Sequence, residues 1–206
     1  MTTLIGPAGR LCDSIVAAAK RSRRVKHLYF GAPGVGKTTL ANQVAEQLAG
    51  KWDIESCNGR NVTIDVVREW QDTFTSSSLF SESGWRVKVV NEIDTAPKAA
   101  QDLMLTFLDE MPEKRAFICT SNLDLEQLTE RFRTRLENYE IEAPSAEEIR
   151  GLLEEQGVPE AIANQIAALA GGNVRGALND LQAWQNKAEA KRAPKAVQYT
   201  LEMMNL

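Results

Sequence analysis

Residues 31 to 38 read GAPGVGKT, and this stretch constrains the fold more than any other part of the chain. The pattern G-x-x-x-x-G-K-[ST] forms a phosphate-binding loop when it follows a β-strand and opens an α-helix. Both neighbours are present here. VKHLYF at 25–30 has the composition of a short strand, and TLANQVAEQLA at 39–49 has helical spacing and ends at Gly50. A glycine-rich turn that matches by chance is the alternative, and the flanking elements argue against it.

The residue types within this loop suit a nucleotide and a divalent cation. Glycines let the backbone wrap the phosphates, so that amide groups and the helix N-terminus meet the negative charge. Lys37 is expected to reach the β and γ phosphates, and the Thr38 hydroxyl is expected to bind Mg²⁺. The predicted nucleotide-binding set is Gly31, Ala32, Pro33, Gly34, Val35, Gly36, Lys37, Thr38 and Thr39.

Strand and helix patterns alternate along the first two thirds of the chain. KWDIES, RVKVV and RAFICTS are typical of strands, and TIDVVREWQDTF and PKAAQDLMLTFLDEM are typical of helices. This alternation predicts an α/β fold in which a parallel sheet is covered by helices on both faces. After Pro144 the strand signal disappears and three helices follow, the first of them opened by a capping box at Ser145 and Glu148.

These patterns divide the chain into three parts. We expect an α/β nucleotide-binding domain at 1–143, a small helical domain at 144–187, and a tail or partner-binding helix at 188–206. A chain of 206 residues with 43% apolar residues is large enough for one packed core plus a helical appendage.

The stretch RVKVVNEID at 86–94 combines a buried strand with polar residues at its end. Asn91 and Glu92 emerge at the carboxyl end of this strand, which is the end of a parallel sheet where ligands bind. Glu92 can hold the attacking water as a general base, and Asp94 is close enough to contribute charge. The predicted metal-binding set is Thr38, Asn91 and Glu92. The alternative is a solvated acidic turn.

Two further segments carry candidate residues. RAFICTSN at 115–122 is an apolar strand that ends in polar residues, and Asn122 at its tip could orient the water or touch the γ phosphate, whereas a capped strand end is the alternative. Downstream, ERFRTRLENYEI places Arg131, Arg133 and Arg135 in a short loop. These arginines could pair with nearby glutamates, or they could reach a neighbouring subunit's γ phosphate.

The order of GAPGVGKT, VKVVNEID, ICTSN, RFRTR and GGNVRGALNDLQ resembles that of AAA+ ATPases, and most of all the clamp-loader group that includes the replication factor C small subunits. The resemblance covers roughly residues 3 to 186. It implies ATP as the ligand, a helical lid over the nucleotide, and ring-forming subunits that complete each other's sites. By this resemblance Asn122 is sensor 1, Arg175 on the lid is sensor 2 and contacts the nucleotide, and Arg135 is the finger supplied to a neighbour. Arg133 and Arg131 are the alternatives for the finger.

Two features depart from this group. Its subunits normally carry a C-terminal helical collar, whereas this sequence ends soon after the lid segment. They also normally have Asp at the position of Asn91, where the carboxylate orients the hydration shell of Mg²⁺. Asn keeps an acceptor oxygen without the charge, and hard cations prefer carboxylate oxygen. We therefore expect weaker metal binding and a reduced rate of hydrolysis, but not loss of turnover.

Charge does not by itself identify the chain as a nucleic-acid binder, because the net charge is −4 and the isoelectric point is near 5.2. Locally, the cluster between Lys20 and Lys26 could contact phosphates or could simply be a solvated face. Thr63 and Arg68 lie where the resemblance places a helix that tracks DNA, and they are the tentative DNA-binding residues; capping and ordinary surface charge are the alternatives. Around a ring, a few contacts per subunit would sum to salt-dependent binding.

Other residue types point to ordinary packing. The three cysteines match no metal-ligand spacing and are interpreted as buried thiols in a reducing compartment. His27 and the four tryptophans, Trp52, Trp70, Trp85 and Trp184, are interpreted as packing residues. No leader and no long apolar run is found, so a cytoplasmic protein without membrane contact is expected.

Three functions remain open from the sequence. The first is an ATPase that loads or remodels a DNA-bound protein such as a sliding clamp, within a ring of identical or homologous subunits, in DNA replication or repair. The second is a protein remodeller or helicase loader of the same fold. The third is a weakly hydrolysing ATP-binding subunit of a mixed ring, which Asn91 favours and Glu92, Asn122 and Arg175 oppose.

Overall fold

The computed structural model describes residues 4–75, 83–122 and 125–192, and it divides the chain into two compact units, Met1–Ala143 and Pro144–Leu206. The first unit contains α1 (Gly6–Ser22), β1 (Arg24–Phe30), α2 (Lys37–Leu48), β2 (Ile54–Asn58), α3 (Ile64–Thr75), β3 (Arg86–Asn91), α4 (Lys98–Asp109), β4 (Arg115–Ser121), α5 (Glu130–Arg133) and β5 (Glu137–Glu140). The second contains α6 (Ala146–Glu155), α7 (Glu160–Ala170) and α8 (Val174–Arg192).

The five strands form one parallel sheet in the order β2-β3-β4-β1-β5. The prediction of a P-loop type α/β fold is therefore confirmed. The second strand was expected from residue 51, but 51–53 form a short 3-10 turn and β2 begins only at Ile54.

Two hydrophobic cores cover the two faces of the sheet. On one face α1 and α2 pack against alternate strand residues such as Val25, Val89 and Ile118. On the other face α3, α4 and α5 pack against Leu28, Val90 and other members of the same strands. Strands buried on both faces must be apolar at almost every position, which is why RVKVV and RAFICTS show no clean alternation.

The packing interpretation of the aromatic and imidazole side chains is confirmed for His27, Trp70 and Trp85, all of which are buried. The His27 ring lies between Tyr29 and Tyr139, and its Nδ1 is 3.0 Å from the Tyr29 hydroxyl oxygen. Burial lowers the pKa of His27 to about 4. The interpretation is wrong for Trp52, which is 96% exposed because it sits in the 3-10 turn before β2 rather than in an element that faces the core.

The first helix of the second unit opens with the capping box that the sequence predicts. The Ser145 hydroxyl accepts a hydrogen bond from the Glu148 amide at 3.2 Å, and the Glu148 carboxylate accepts one from the Ser145 amide at 2.8 Å, which completes a capping box. Helix α8 continues past the predicted boundary at 187 as far as Arg192. The rest of the predicted tail, 193–206, lies outside the described residues. Within the described ranges, no helix is long and apolar enough to cross a membrane.

Candidate functional site

The candidate site lies at the edge where the parallel strands end. Strand β4 lies between β1 and β3, with Phe30 paired to Ser121 and Val90 paired to Cys119. The loop after β1, the Asn91–Glu92 pair after β3 and Asn122 after β4 therefore emerge beside one another. Adjacent strand ends of this kind are where parallel sheets bind ligands.

The backbone of the GAPGVGKT loop depends on its glycines. Gly31, Gly34 and Gly36 have φ values of 146°, 83° and 103°, which other residues rarely adopt. A Cβ at Gly31 would also lie 2.5 Å from the carbonyl oxygen of Ile141. Helix α2 begins at Lys37 directly after this loop, so its positive end opens onto it. This geometry fits a bound phosphate group.

Lys37 joins the loop to the end of β4. Its buried Nζ donates hydrogen bonds to the carbonyl oxygens of Gly31 at 2.7 Å and Ala32 at 2.8 Å, and it lies 3.4 Å from Oδ1 of Asn122. The structure thus brings together two residues that the sequence placed 85 positions apart. An ammonium group held in this loop supplies the charge that a phosphate requires.

The metal-binding candidates supply hydroxyl, amide and carboxylate oxygen. Thr38 is half-buried in the first turn of α2. Asn91 Oδ1 accepts a hydrogen bond from the Thr120 hydroxyl at 3.3 Å. Within the described ranges, no three His, Cys, Asp or Glu side chains group so as to hold a metal ion. A Mg²⁺ ion here would therefore depend on phosphate oxygens and water as well as on these side chains, as Mg²⁺ at nucleotide sites generally does.

Glu92 has an unusual backbone and a partner that the sequence did not reveal. Its φ of 53° is rare for a residue other than glycine. Its Oε2 accepts a hydrogen bond from Asn58 Nδ2 at 2.9 Å and lies 3.7 Å from an Arg60 nitrogen. The carboxylate of the candidate general base is thus held at the end of β2.

Asn58 is itself fixed in one orientation. Its Oδ1 accepts hydrogen bonds from the backbone N and the Nε of Arg60, both at 3.1 Å, which leaves the amide nitrogen for Glu92. Between them, Gly59 packs so tightly that a Cβ there would lie 2.2 Å from the Glu92 carbonyl oxygen. Asn58 is a polar residue at a strand end, as Asn122 is, and the same signal could have identified it.

Asp94 brings charge into the interior of the protein. Its Oδ1 is buried and has no hydrogen-bond partner in the described part of the chain. Burial, and then the charge of Asp94, raise the pKa of the Cys119 thiol well above its usual value.

Gln101 is a second residue that sequence reasoning missed. Its fully buried amide donates to the carbonyl oxygens of Ala96 at 3.0 Å and Gln127 at 3.3 Å, and it accepts from the Thr129 amide at 3.0 Å. Thr129 is the N-cap of α5. Gln101 therefore ties the segment after Glu92 to the helix that carries the candidate arginine fingers.

The three candidate arginines differ in their partners. Arg135 Nε lies 2.9 Å from both carboxylate oxygens of Asp109, and its NH1 donates to the Arg131 carbonyl oxygen at 3.0 Å. The Nε of Arg133 is buried without a hydrogen-bond partner among the described residues. Arg131 is exposed, and its side chain makes no hydrogen bond or ion pair with any described residue. Arg135 is thus paired with Asp109, whereas the Arg131 guanidinium is available for another partner.

The remaining predicted residues lie elsewhere. Thr63 precedes α3, and its hydroxyl accepts a hydrogen bond from the Val66 amide at 3.3 Å. Arg68 is exposed on α3 and lies 3.2 Å from Asp65. Arg175 is exposed near the start of α8 in the second compact unit.

Comparison with known proteins finds relatives that match most of this chain. Replication factor C subunit 3 of Blastobotrys adeninivorans is 28% identical over an alignment that covers 92% of this chain and 59% of that protein. The chain thus spans only about six tenths of this curated relative.

Two solved structures share the fold. The RuvB Holliday junction branch migration motor of Thermotoga maritima superposes with a TM-score of 0.72 at 20% identity, covering 92% of this chain and 65% of that one. A DNA polymerase III gamma subunit-related protein of the same organism gives a TM-score of 0.60 at 16% identity, covering 78% of this chain and 58% of that one.

A family model describes more than half of the chain. It matches residues 27–143, which include the glycine loop, Asn91, Glu92, Asn122 and the arginines of α5. The chain belongs to the AAA family, the ATPase family associated with various cellular activities.

Proposed function

We propose that this chain binds ATP with Mg²⁺ and hydrolyses it within a ring of like subunits, and that the ring loads or remodels a protein on DNA. The observation that carries the proposal is the Lys37 ammonium, which is held in the glycine loop and against Asn122, with Glu92 on the adjoining strand. Nucleotide-binding charge and a candidate base thus lie at neighbouring strand ends. The names of the replication factor C relatives support the DNA-linked part of the proposal.

Each residue of the site has one proposed role. Lys37 and the loop amides hold the phosphates, the Thr38 hydroxyl and Asn91 hold Mg²⁺ and its water, and Asn122 orients the γ phosphate. Bound Mg²⁺ supplies charge neutralisation. Glu92 accepts the proton of the attacking water, and its carboxylate turns from Asn58 toward the nucleotide to do so.

The finger supplied to a neighbouring subunit is best assigned to Arg131. A finger needs a guanidinium that is free to reach across an interface, and Arg131 is exposed without a partner among the described residues, whereas Arg135 is bound to Asp109. Arg133 and Arg135 are the second choices. Arg175 is proposed to contact the nucleotide from the helical unit, as sensor 2.

The proposed partners are ATP, identical or homologous subunits, DNA, and a sliding clamp or another replication protein. The proposed DNA contacts are Thr63, just before α3, and Arg68, exposed on α3. The Asp65 carboxylate is a weak competitor for Arg68 because exposed ion pairs contribute little. The Thr63 hydroxyl accepts from the Val66 amide and keeps its own O–H to donate to a phosphate.

One specific observation favours a second candidate, a weakly hydrolysing subunit of a mixed ring. Asn91 brings no charge to the metal, and the described residues supply no acidic cluster to replace it. In such a ring, nucleotide would order the interface while a neighbour performs most of the hydrolysis. A protein remodeller or helicase loader is the third candidate, and a pull-down of its partner would separate it from the others.

The experiment that tests the proposal measures ATP binding, ATP turnover and mass in solution together. The chain is expected to bind ATP, to assemble with ATP and Mg²⁺, and to hydrolyse ATP faster with primed DNA and a clamp. Lys37→Ala should lose ATP binding, because the phosphate-binding ammonium is gone. Tight ATP binding by this variant would refute the assignment of the nucleotide-binding site. A protein that stays monomeric, and whose ATP turnover does not change with DNA or clamp, would refute the loader function.

A further inference from the structure

The edge of the sheet opposite the nucleotide site is strongly basic. All five parallel strands begin there, and the segments that lead into β1, β2, β3 and β4 are 20–24, 50–53, 83–86 and 113–115. We call this surface the strand-start edge. Its basic residues are Lys20, Arg21, Arg23, Arg24, Lys51, Arg86, Lys114 and Arg115, and its acidic residues are Asp53 and Glu113. This excess of positive charge stands against a net charge of −4 for the chain.

Three of these arginines, Arg23, Arg86 and Arg115, make side-chain contacts within the protein. Arg24, Arg115 and Arg86 are paired across the first positions of β1, β4 and β3. The buried Arg115 donates to the Phe74 carbonyl oxygen at 2.7 Å, and Arg86 donates to the Thr73 carbonyl oxygen at 2.7 Å. Both side chains therefore bind carbonyl groups at the C-terminal end of α3. Arg23 pairs with Glu113 at 3.2 Å.

Four other cations are exposed and unengaged. Lys20, Arg21, Arg24 and Lys51 make no side-chain hydrogen bond or ion pair with the rest of the described chain. The negative end of α1 accounts for Lys20 and Arg21, since cations are favoured in the last helical turn. It does not account for Arg24, which lies within a strand and beside other arginines, where like charges disfavour one another.

Trp52 lies at the same edge. It is 96% exposed, in the 3-10 turn that Asp53 N closes with a 2.9 Å hydrogen bond to the Gly50 carbonyl oxygen. The turn leads into β2, so Trp52 stands beside the first residues of the sheet. An indole this exposed among the described residues is available to stack on a partner.

We propose that the strand-start edge binds single-stranded nucleic acid, with Trp52 stacked on an unpaired base and Lys20, Arg21, Arg24 and Lys51 against backbone phosphates. An exposed aromatic ring beside a basic strip is how proteins bind single strands without sequence preference. From β2 to β1 the sheet spans three strand spacings, about 14 Å, which accommodates about four nucleotides. A duplex keeps its bases stacked on each other, so it could not use Trp52. The site needs neither ATP nor a ring and goes beyond the proposed function.

The test uses the whole chain without nucleotide. Fluorescence anisotropy compares labelled dT12, rU12 and a 12-mer of abasic deoxyribose phosphates. If four phosphates are neutralised, log K for dT12 should fall with log salt with a slope of about −3. Trp52→Ala should weaken dT12 binding about fivefold or more and leave the abasic 12-mer unchanged, because only the stacking contact is removed. The comparison of dT12 with rU12 identifies which backbone this surface prefers.

Matched charge variants locate the phosphates. Lys20→Ser should reduce the salt slope by about 0.7, whereas Lys187→Ser, at an exposed lysine of α8 in the second unit, should not change it. Both side chains are exposed, so neither substitution disturbs a core.

Three results would overturn the proposal. One is dT12 binding that is equal in wild type, Trp52→Ala and Lys20→Ser. Another is binding that survives these changes and is lost in Arg68→Ala, which would place the nucleic acid on α3 as in the proposed function. The third is no binding of any oligonucleotide together with co-sedimentation with phosphatidylserine vesicles, which would make the edge a lipid-binding surface.

Discussion

Asn58 is expected to restrain ATP hydrolysis, and its replacement by alanine should raise the basal rate. The Asn58 amide holds the Glu92 carboxylate by a 2.9 Å hydrogen bond, and the proposed mechanism has the carboxylate leave this partner when it activates water. A hydrogen bond to a charged group contributes about 1.5–3 kcal/mol, but Glu92 is 46% exposed and water competes for it. We therefore take about 1 kcal/mol, which corresponds to about a fivefold larger population of released carboxylate.

Steady-state ATP turnover of the chain alone, at saturating ATP and Mg²⁺, measures this effect. Asn58→Ala should turn over ATP about fivefold faster than wild type with an unchanged ATP affinity. Asn61→Ala is the matched control, because Asn61 is exposed in the same turn and its side chain makes no hydrogen bond with a described residue. The double variant with Glu92→Gln should be as slow as Glu92→Gln alone, which shows that the gain acts through Glu92. A folded Asn58→Ala protein that binds ATP and hydrolyses it no faster than wild type would refute the reasoning.

Three further predictions concern the metal, the finger and the core. Asn91→Asp should lower the Mg²⁺ concentration for half-maximal turnover about tenfold, because it adds a charged oxygen near the ion; an unchanged Mg²⁺ titration would show that Asn91 is not limiting. Arg131→Ala should slow ATP turnover of the assembled ring about 10³-fold and leave ATP binding intact. Arg135→Ala should lower the free energy of unfolding by at most about 1 kcal/mol, because only the Asp109 pair is lost. If Arg135→Ala slows turnover more than Arg131→Ala does, the finger is Arg135. Burial depresses the pKa of His27 from about 6.5 to about 4, so the unfolded chain takes up a proton on His27 before the folded protein does. The free energy of unfolding should therefore be fully present above pH 6.5 and fall by about 3 kcal/mol as the pH drops to 4. Denaturant unfolding should show this loss in wild type and a smaller one in His27→Gln.

Much of the fold followed from local patterns. The GAPGVGKT loop, the apolar run before Glu92 and the polar end of β4 each lie within a few residues, and the rule that parallel strands bind ligands at their carboxyl ends places them together. The capping box at Ser145 is equally local. These elements were predictable because each one satisfies its own hydrogen bonds and periodicity within a short segment.

The residues that sequence reasoning missed depend on contacts between distant segments. Asn58 meets Glu92 only because β2 lies beside β3, and the sequence does not state the strand order. Gln101 bonds to Gln127 and Thr129, which are 26 and 28 residues away in the chain, so no local sequence pattern predicts these hydrogen bonds. Trp52 was assigned to packing from its residue type, but the 3-10 turn that carries it projects from the sheet edge.

The partners of the three arginines were also beyond sequence reasoning. Arg131, Arg133 and Arg135 alternate in one short segment and look equivalent in the sequence. Their side-chain surroundings differ because Asp109, at the end of α4, pairs with Arg135 and because the Arg133 Nε is buried. Side-chain partners of this kind are set by tertiary packing.

The central claim is that Glu92 is the base of an ATP-hydrolysing site, and the most direct measurement compares wild type with Glu92→Gln. ATP binding and single-turnover hydrolysis are measured on the same preparations with saturating Mg²⁺. We expect Glu92→Gln to bind ATP as tightly as wild type. Its rate of hydrolysis should be about 10²- to 10⁴-fold lower, as expected for the loss of a general base. Equal hydrolysis rates in the two proteins would contradict it.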